Sequence, residues 1–123
     1  MDVKIELIPM YVSDVDRSVA FYRGLGWSID FDQVVSPELR FVQVTPPGSA
    51  CSFCFGTGLG MMVEGSRQFI QAVVVSADEV RDNLRGRGVE CSDVDEQPWG
   101  RFVYLDDPDG NKWSFQQIVR LPA

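Results

Sequence analysis

The sequence predicts an α+β fold built from two copies of one strand–helix–strand–strand–strand unit. The first observation behind this is internal repetition. Arg40-Phe41-Val42-Gln43-Val44 leads through Pro46-Pro47-Gly48 to Ser52-Phe53, and Arg101-Phe102-Val103-Tyr104-Leu105 leads through Pro108-Asp109-Gly110 to Ser114-Phe115. Arg101 follows Arg40 by 61 residues and Ser114 follows Ser52 by 62, half of the 123-residue chain in each case, as duplication produces. The second observation is a helical apolar period in each half, placed after a strand-like run and closed by a glycine. The third is size. A chain of 123 residues, 45% apolar, holds one domain with a real core but not separate cofactor and substrate domains.

The elements follow in order. Val3 to Val12 alternates enough for a strand, although Pro9 removes a ladder donor and suits an edge or a bulge. Ser13-Asp14 offers a helix cap, with Asp16 near the N3 position of a capping-box-like start. Val19, Phe21, Tyr22 and Leu25 then recur at helical spacing from Val15 to Leu25, and Gly26 stops the helix. Strand-like runs follow at Trp27 to Val34, Arg40 to Thr45 and Ala50 to Phe55, separated by Ser36-Pro37 and Pro46-Pro47-Gly48 turns. The second half repeats the order, with a strand at Gln68 to Ser76, a charged amphipathic helix at Ala77 to Arg87, and Gly88 as its stop. Its remaining strands are expected at Val89 to Val94, Arg101 to Asp106 and Lys112 to Val119. The chain thus divides into a first module at about 1–56, a glycine-rich linker at about 57–66 and a second module at about 67–123, within a single domain.

Eleven basic and eighteen acidic residues give a net charge of −7. Such a surface repels phosphate backbones, and no basic cluster with interleaved aromatics offsets it, so nucleic acid is not an expected partner. The start, Met1-Asp2-Val3-Lys4-Ile5-Glu6, carries charges inside its apolar stretch, unlike a secretory signal, and no run reaches membrane-spanning length. A cytoplasmic protein without a membrane partner is expected. Cys51, Cys54 and Cys91 are odd in number and imply no disulfide framework. Cys51 and Cys54 have C-x-x-C spacing, but residues three apart on a strand point to opposite faces, so buried free thiols are the expectation.

Several motifs resemble the vicinal oxygen chelate superfamily of glyoxalase I, extradiol dioxygenases, fosfomycin resistance enzymes and bleomycin resistance proteins. They are Val12-Ser13-Asp14, then Ser18-Val19-Ala20-Phe21-Tyr22 and Leu25-Gly26, and Asp107-Pro108-Asp109-Gly110-Asn111 before the final strand. The resemblance implies two tandem βαβββ modules whose strands curve into a half-open mixed β-barrel with the helices outside. It also implies a homodimer, for which exposed strand edges give a physical reason.

Metal-dependent members of that family carry ligands on the first and last strand of each module. Carried over by position, those ligands fall at Leu7 and Ile70, five residues before Val12 and Val75, and at Ser114, which the repeat maps onto Ser52. Hydrocarbon and neutral hydroxyl are poor ligands for divalent ions, and the chain contains no histidine. No metal and no cofactor are therefore expected. Strand alternation adds Cys54 to the face of Ser52 and Gln116 to that of Ser114, with Phe41, Gln43, Phe102 and Tyr104 beside them. Trp99 and Trp27 are placed at the rim, where they can stack on a planar ligand. Phe53, Phe55, Val103, Leu105, Trp113 and Phe115 are expected under the helices.

Other signals point elsewhere or nowhere. Gly56-Thr57-Gly58-Leu59-Gly60 resembles a phosphate-cradling loop, yet no helix start and no lysine follow it. Met61 and Met62 offer a soft cover for the cleft. Asp106 to Asn111 lacks the spaced ligands and terminal glutamate of a calcium loop and reads as a turn. Glu79, Arg81, Asp82, Arg85 and Arg87 read as a solvated helix face, and Glu38, Glu64 and Glu96 remain as possible acid–base groups. The functional expectation is a metal-independent protein of the bleomycin-resistance type that sequesters or carries an apolar or aromatic small molecule. The alternatives are a glyoxalase-like lyase, isomerase or dioxygenase whose metal site is atypical (built from Cys54, Glu or Asp) or absent, and a domain that serves as an interaction partner.

Overall fold

The computed structural model describes residues 1–119 and resolves two compact units, Met1–Arg67 and the residues from Gln68 on. Each unit is one helix on one four-stranded mixed sheet, so the α+β class and the tandem βαβββ order hold.

In the first unit β1 (Leu7–Pro9), α1 (Val15–Gly24), β2 (Ser28–Ser36), β3 (Leu39–Thr45) and β4 (Ser52–Thr57) form a sheet of order β1-β4-β3-β2. The first strand is shorter than its alternation suggests, because proline at position 9 has no N–H to give. The chain stays beside β4 all the same: the Ser52 N–H reaches the Glu6 carbonyl at 2.9 Å, and the Met10 N–H reaches the Cys54 carbonyl at 2.8 Å. Asp14 caps α1 by accepting from the Arg17 N–H at 3.1 Å. Asp16 takes no part in a capping box and pairs with Arg40 at 2.7 Å. The face under α1 buries Val42, Val44, Phe53 and Phe55 against Val19 and Tyr22. Tyr22 meets Phe53 edge-on at 4.8 Å and donates its hydroxyl to Met10 Sδ at 3.5 Å. Trp27 belongs to this core, stacked on Tyr22 at 5.8 Å, and not to a binding rim.

In the second unit β5 (Phe69–Val73), α2 (Ala77–Gly86), β6 (Asp95–Gln97), β7 (Gly100–Asp106) and β8 (Lys112–Ile118) form a sheet of order β5-β8-β7-β6. Ser76 caps α2 through the Glu79 N–H at 3.2 Å. Val103, Leu105, Trp113 and Phe115 are buried beneath it, as their alternation predicts. One strand is misplaced by the sequence reading. Val89 to Val94 is irregular, and the β6–β7 hairpin pairs Gln97 with Gly100, which leaves Pro98-Trp99 as a two-residue turn. The polar Asp95-Glu96-Gln97 makes a poor strand by propensity and survives because it is an edge with one hydrogen-bonded neighbour.

The duplication extends to an ion-pair device. Arg40 on β3 bridges Asp16 at the start of α1 and Asp32 on β2, at 2.7 and 2.9 Å. Arg101 on β7 bridges Asp78 at the start of α2 and Glu96 on β6, at 2.8 and 2.9 Å. Hydrogen bonding from Arg40 holds the Asp32 carboxyl below its ordinary 3.8, and Arg101 does the same for Asp78. A lowered folded value stabilises the fold above the ordinary carboxylate range and loses that contribution as pH falls through it. The denaturation midpoint is therefore expected to stay level down to about pH 5 and to fall below about pH 4. Arg40→Met and Arg101→Met should flatten that acid limb; a limb unchanged in both contradicts the assignment.

The Asp107 to Asn111 turn is closed by its own side chains. The Asp107 carboxylate accepts from the Asp109 and Asn111 N–H groups at 2.9 and 2.8 Å and from Asn111 Nδ2 at 2.9 Å. Asn111 Oδ1 in turn accepts from the Gln68 N–H at 2.8 Å, which ties the turn to the start of β5.

Candidate functional site

The strand registers decide which side chains share the sheet face away from each helix. In the second unit Gln71 and Tyr104 both register on Ser114, Phe102 registers on Gln116, and Asp95 registers on Phe102. These residues, with Phe69, Gln97 and Trp99, line a cavity of about 330 Å³. Its aromatic part consists of Phe102 and Tyr104, parallel at 6.0 Å, with Trp99 on the hairpin turn 62% exposed and Phe69 63% exposed. Large aromatics so exposed on one sheet face are unusual for a surface that touches only water.

The polar part is a directed chain. Ser114 Oγ donates to Gln71 Oε1 at 3.4 Å, Gln71 Nε2 donates to Gln116 Oε1 at 2.9 Å, and Gln116 Nε2 donates to the Trp99 carbonyl at 3.3 Å. The chain fixes both amides and ties the hairpin turn to the sheet. Across the cavity the Tyr104 hydroxyl donates to Asp95 Oδ2 at 2.8 Å, and Gln97 Nε2 donates to Asp95 Oδ1 at 3.0 Å. Burial, then the Asp95 carboxylate, push the Tyr104 phenol above its ordinary 10.0, so it remains a donor at neutral pH.

In the first unit Leu7 registers on Ser52, Gln43 on Cys54 and Phe41 on Gly56, so Leu7, Phe41, Gln43, Ser52 and Cys54 share one face. Ser52 Oγ lies 2.6 Å from Thr45 Oγ1, which also bonds to Asp30. Burial raises the Cys54 thiol above its ordinary 9.0, with the Glu6 carboxylate adding to the effect, so it is neither a ready thiolate ligand nor a nucleophile. None of the five lines the hollow of about 510 Å³ in this unit, which is formed by residues 11–16, Arg40 and the 56–64 segment, including Met62.

Of the residues expected in the second unit, Trp99, Phe102, Tyr104, Ser114 and Gln116 come together around the cavity. Ile70 does not. It registers on Trp113, on the face covered by α2, and Gln71 stands where Ile70 was expected. The reason is a shorter connection. Leu7, the partner of Ser52, lies five residues before Val12, while Gln71, the partner of Ser114, lies four before Val75, so counting five back from Val75 overshoots by one. Asp95 and Gln97 were also missed; reading Pro98-Trp99 as a two-residue hairpin turn would have placed both.

The register-matched positions on the first and last strands are thus Leu7 and Ser52 in one unit and Gln71 and Ser114 in the other. A hydrocarbon, two hydroxyls and one amide do not fit a divalent cation, which wants carboxylate, imidazole or thiolate. Among the described residues no three of His, Cys, Asp and Glu gather as a metal site. No helix among them is long and apolar enough to cross a membrane.

The glyoxalase/bleomycin resistance protein/dioxygenase superfamily model matches residues 4–115. Among solved structures, TnmS3, an antibiotic binding protein from Streptomyces sp. CB03234, is 28% identical with a TM-score of 0.80, covering 96% of this chain and 98% of that one. A superfamily member from Sphaerobacter thermophilus DSM 20745 is 28% identical with a TM-score of 0.76, covering 94% and 98%. A bleomycin resistance determinant encoded on the transposon Tn5 shares the fold at 18% identity and a TM-score of 0.72, covering 96% and 100%. None of the curated proteins matches the chain by sequence.

Proposed function

We propose that this chain, which belongs to the glyoxalase/bleomycin resistance protein/dioxygenase superfamily, is a cytoplasmic, metal-independent binding protein that sequesters or carries a planar aromatic small molecule. The observation that carries the reading is the aromatic cavity on the Ser114 face. Its Phe102–Tyr104 stack, exposed Trp99 and few fixed polar groups have the makeup of a small-molecule site. The description of TnmS3 as an antibiotic binding protein supports an antibiotic or a related natural product as the ligand.

The ligand's role is stoichiometric. With neutral amides and hydroxyls that already donate to Gln71 and Asp95, the site offers orientation and stacking in place of a nucleophile. The test is a thermal-shift screen of planar natural products and antibiotics, followed by calorimetry. At a hundredfold excess over Kd a ligand stabilises the folded state by about 2.7 kcal/mol, a rise of roughly 8–12 °C. Failure of every compound class to bind a well-folded sample would sink the proposal, as would a stoichiometric transition metal in protein purified without a metal-affinity tag. The same reading includes a homodimer, since edge strand β2 exposes Phe31, Val34 and Val35 at 59%, 64% and 64%; light scattering checks it.

A further inference from the structure

Asp95 differs from the ion-paired carboxylates of its unit. Asp78, Asp93, Glu96 and Asp106 each lie within 3.4 Å of an arginine or lysine nitrogen. Asp95, half-buried at the cavity wall, is held by two neutral donors, the Tyr104 hydroxyl and the Gln97 amide. A carboxylate has about four acceptor sites, so two remain for a further donor. It is also the one charged residue among those lining the cavity. Arg101 is turned to the opposite face by its pairing with Asp78 and Glu96, and Lys112, at the far end of β8, is paired with Asp106 at 3.2 Å. Phe102, Tyr104 and Trp99 line the same cavity, and aromatic rings attract positive charge as well as planar partners.

We infer that the ligand of the Ser114 face is a planar aromatic cation whose protonated nitrogen donates to Asp95 while its ring system stacks on Trp99 and the Phe102–Tyr104 pair. The inference rests on the binding reading above and narrows it from planar compounds to cationic ones. Tyr104 and Gln97 act as positioning residues, since each holds one Asp95 oxygen in place.

The experiment compares three probes of one shape by calorimetry: 9-aminoacridine, protonated at neutral pH, neutral acridone, and the acridine-9-carboxylate anion. The cation is expected to bind about ten- to a hundredfold tighter than acridone, the worth of one charge-assisted hydrogen bond, and the anion weakest of the three. Asp95→Asn, which keeps the shape of the wall, should bring the cation to within about threefold of acridone while acridone binding holds. Equal binding of cation and acridone by the native protein overturns the charge preference and leaves the binding reading standing. A cation preference that persists in Asp95→Asn overturns the role of Asp95 and assigns the preference to the net charge of −7. If none of the three binds, the planar-cation inference fails, and the thermal-shift screen decides the binding reading separately. The native-protein comparison decides the charge preference even if the variant does not fold.

Discussion

Trp99→Ala is expected to weaken binding of a planar aromatic ligand by about ten- to a hundredfold, the 1–3 kcal/mol of a stacked anchor residue, while leaving the melting temperature within about 2 °C. The side chain is 62% exposed on the hairpin turn, so its removal leaves no cavity in the core. What the turn needs from this residue is its carbonyl, which accepts from Gln116 Nε2, and alanine keeps that group. The Gln71–Gln116 amide pair should therefore stay in place, and the loss reports the indole alone. Calorimetry on the native protein and the variant measures it. Unchanged affinity with unchanged stability takes the ligand off this face.

Asn111→Ala is expected to cost about 2–4 kcal/mol of stability, a fall of roughly 8–15 °C in melting temperature. Asn111 is fully buried, donates to Asp107 and accepts from the first N–H of the β5 approach. Alanine removes both bonds, one of them to the buried Asp107 carboxylate, and hydrogen bonds to charged groups are among the costlier ones to lose. β5 also carries Gln71, so ligand affinity should fall with stability in this variant, in contrast to Trp99→Ala. Chemical denaturation gives the number; a loss below about 1 kcal/mol means that the turn holds through its backbone alone.

The repeat made the architecture legible, because each half places a strand, a capped helix and three strands in the same order. The faces beneath the helices followed from period-two alternation in β4, β7 and β8, whose apolar residues are buried as expected. Three features resisted for separate physical reasons. β6 is made of Asp, Glu and Gln and gains its strand from one neighbour, so local propensity pointed to the more apolar Val89 to Val94 instead. Gln71 was displaced by one position because it lies four residues before Val75 where Leu7 lies five before Val12, and a slip of one residue exchanges the two faces of a strand. Trp27 directly precedes β2 and carries no alternation to say which side it takes; its partners Tyr22 and Phe53 are contacts at a distance in sequence.

Two of the residues the sequence reading missed, Gln71 and Asp95, carry the site's most specific chemistry. Gln71 joins Ser114 to Gln116 and so to the turn that presents Trp99. Asp95 fixes the Tyr104 hydroxyl and adds the cavity's one charge. Both are positioned by pairing across strands, a relation that no single segment of sequence displays.

NMR chemical-shift mapping of the labelled protein with saturating 9-aminoacridine locates the binding surface, which is expected on the Ser114 face of the second unit. Large shifts are expected at the Trp99 indole N–H and at the side-chain amides of Gln71, Gln97 and Gln116, with the backbone N–H groups of α2 nearly unmoved. Shifts confined to other residues, or no shifts at a concentration where calorimetry records binding, would contradict that placement.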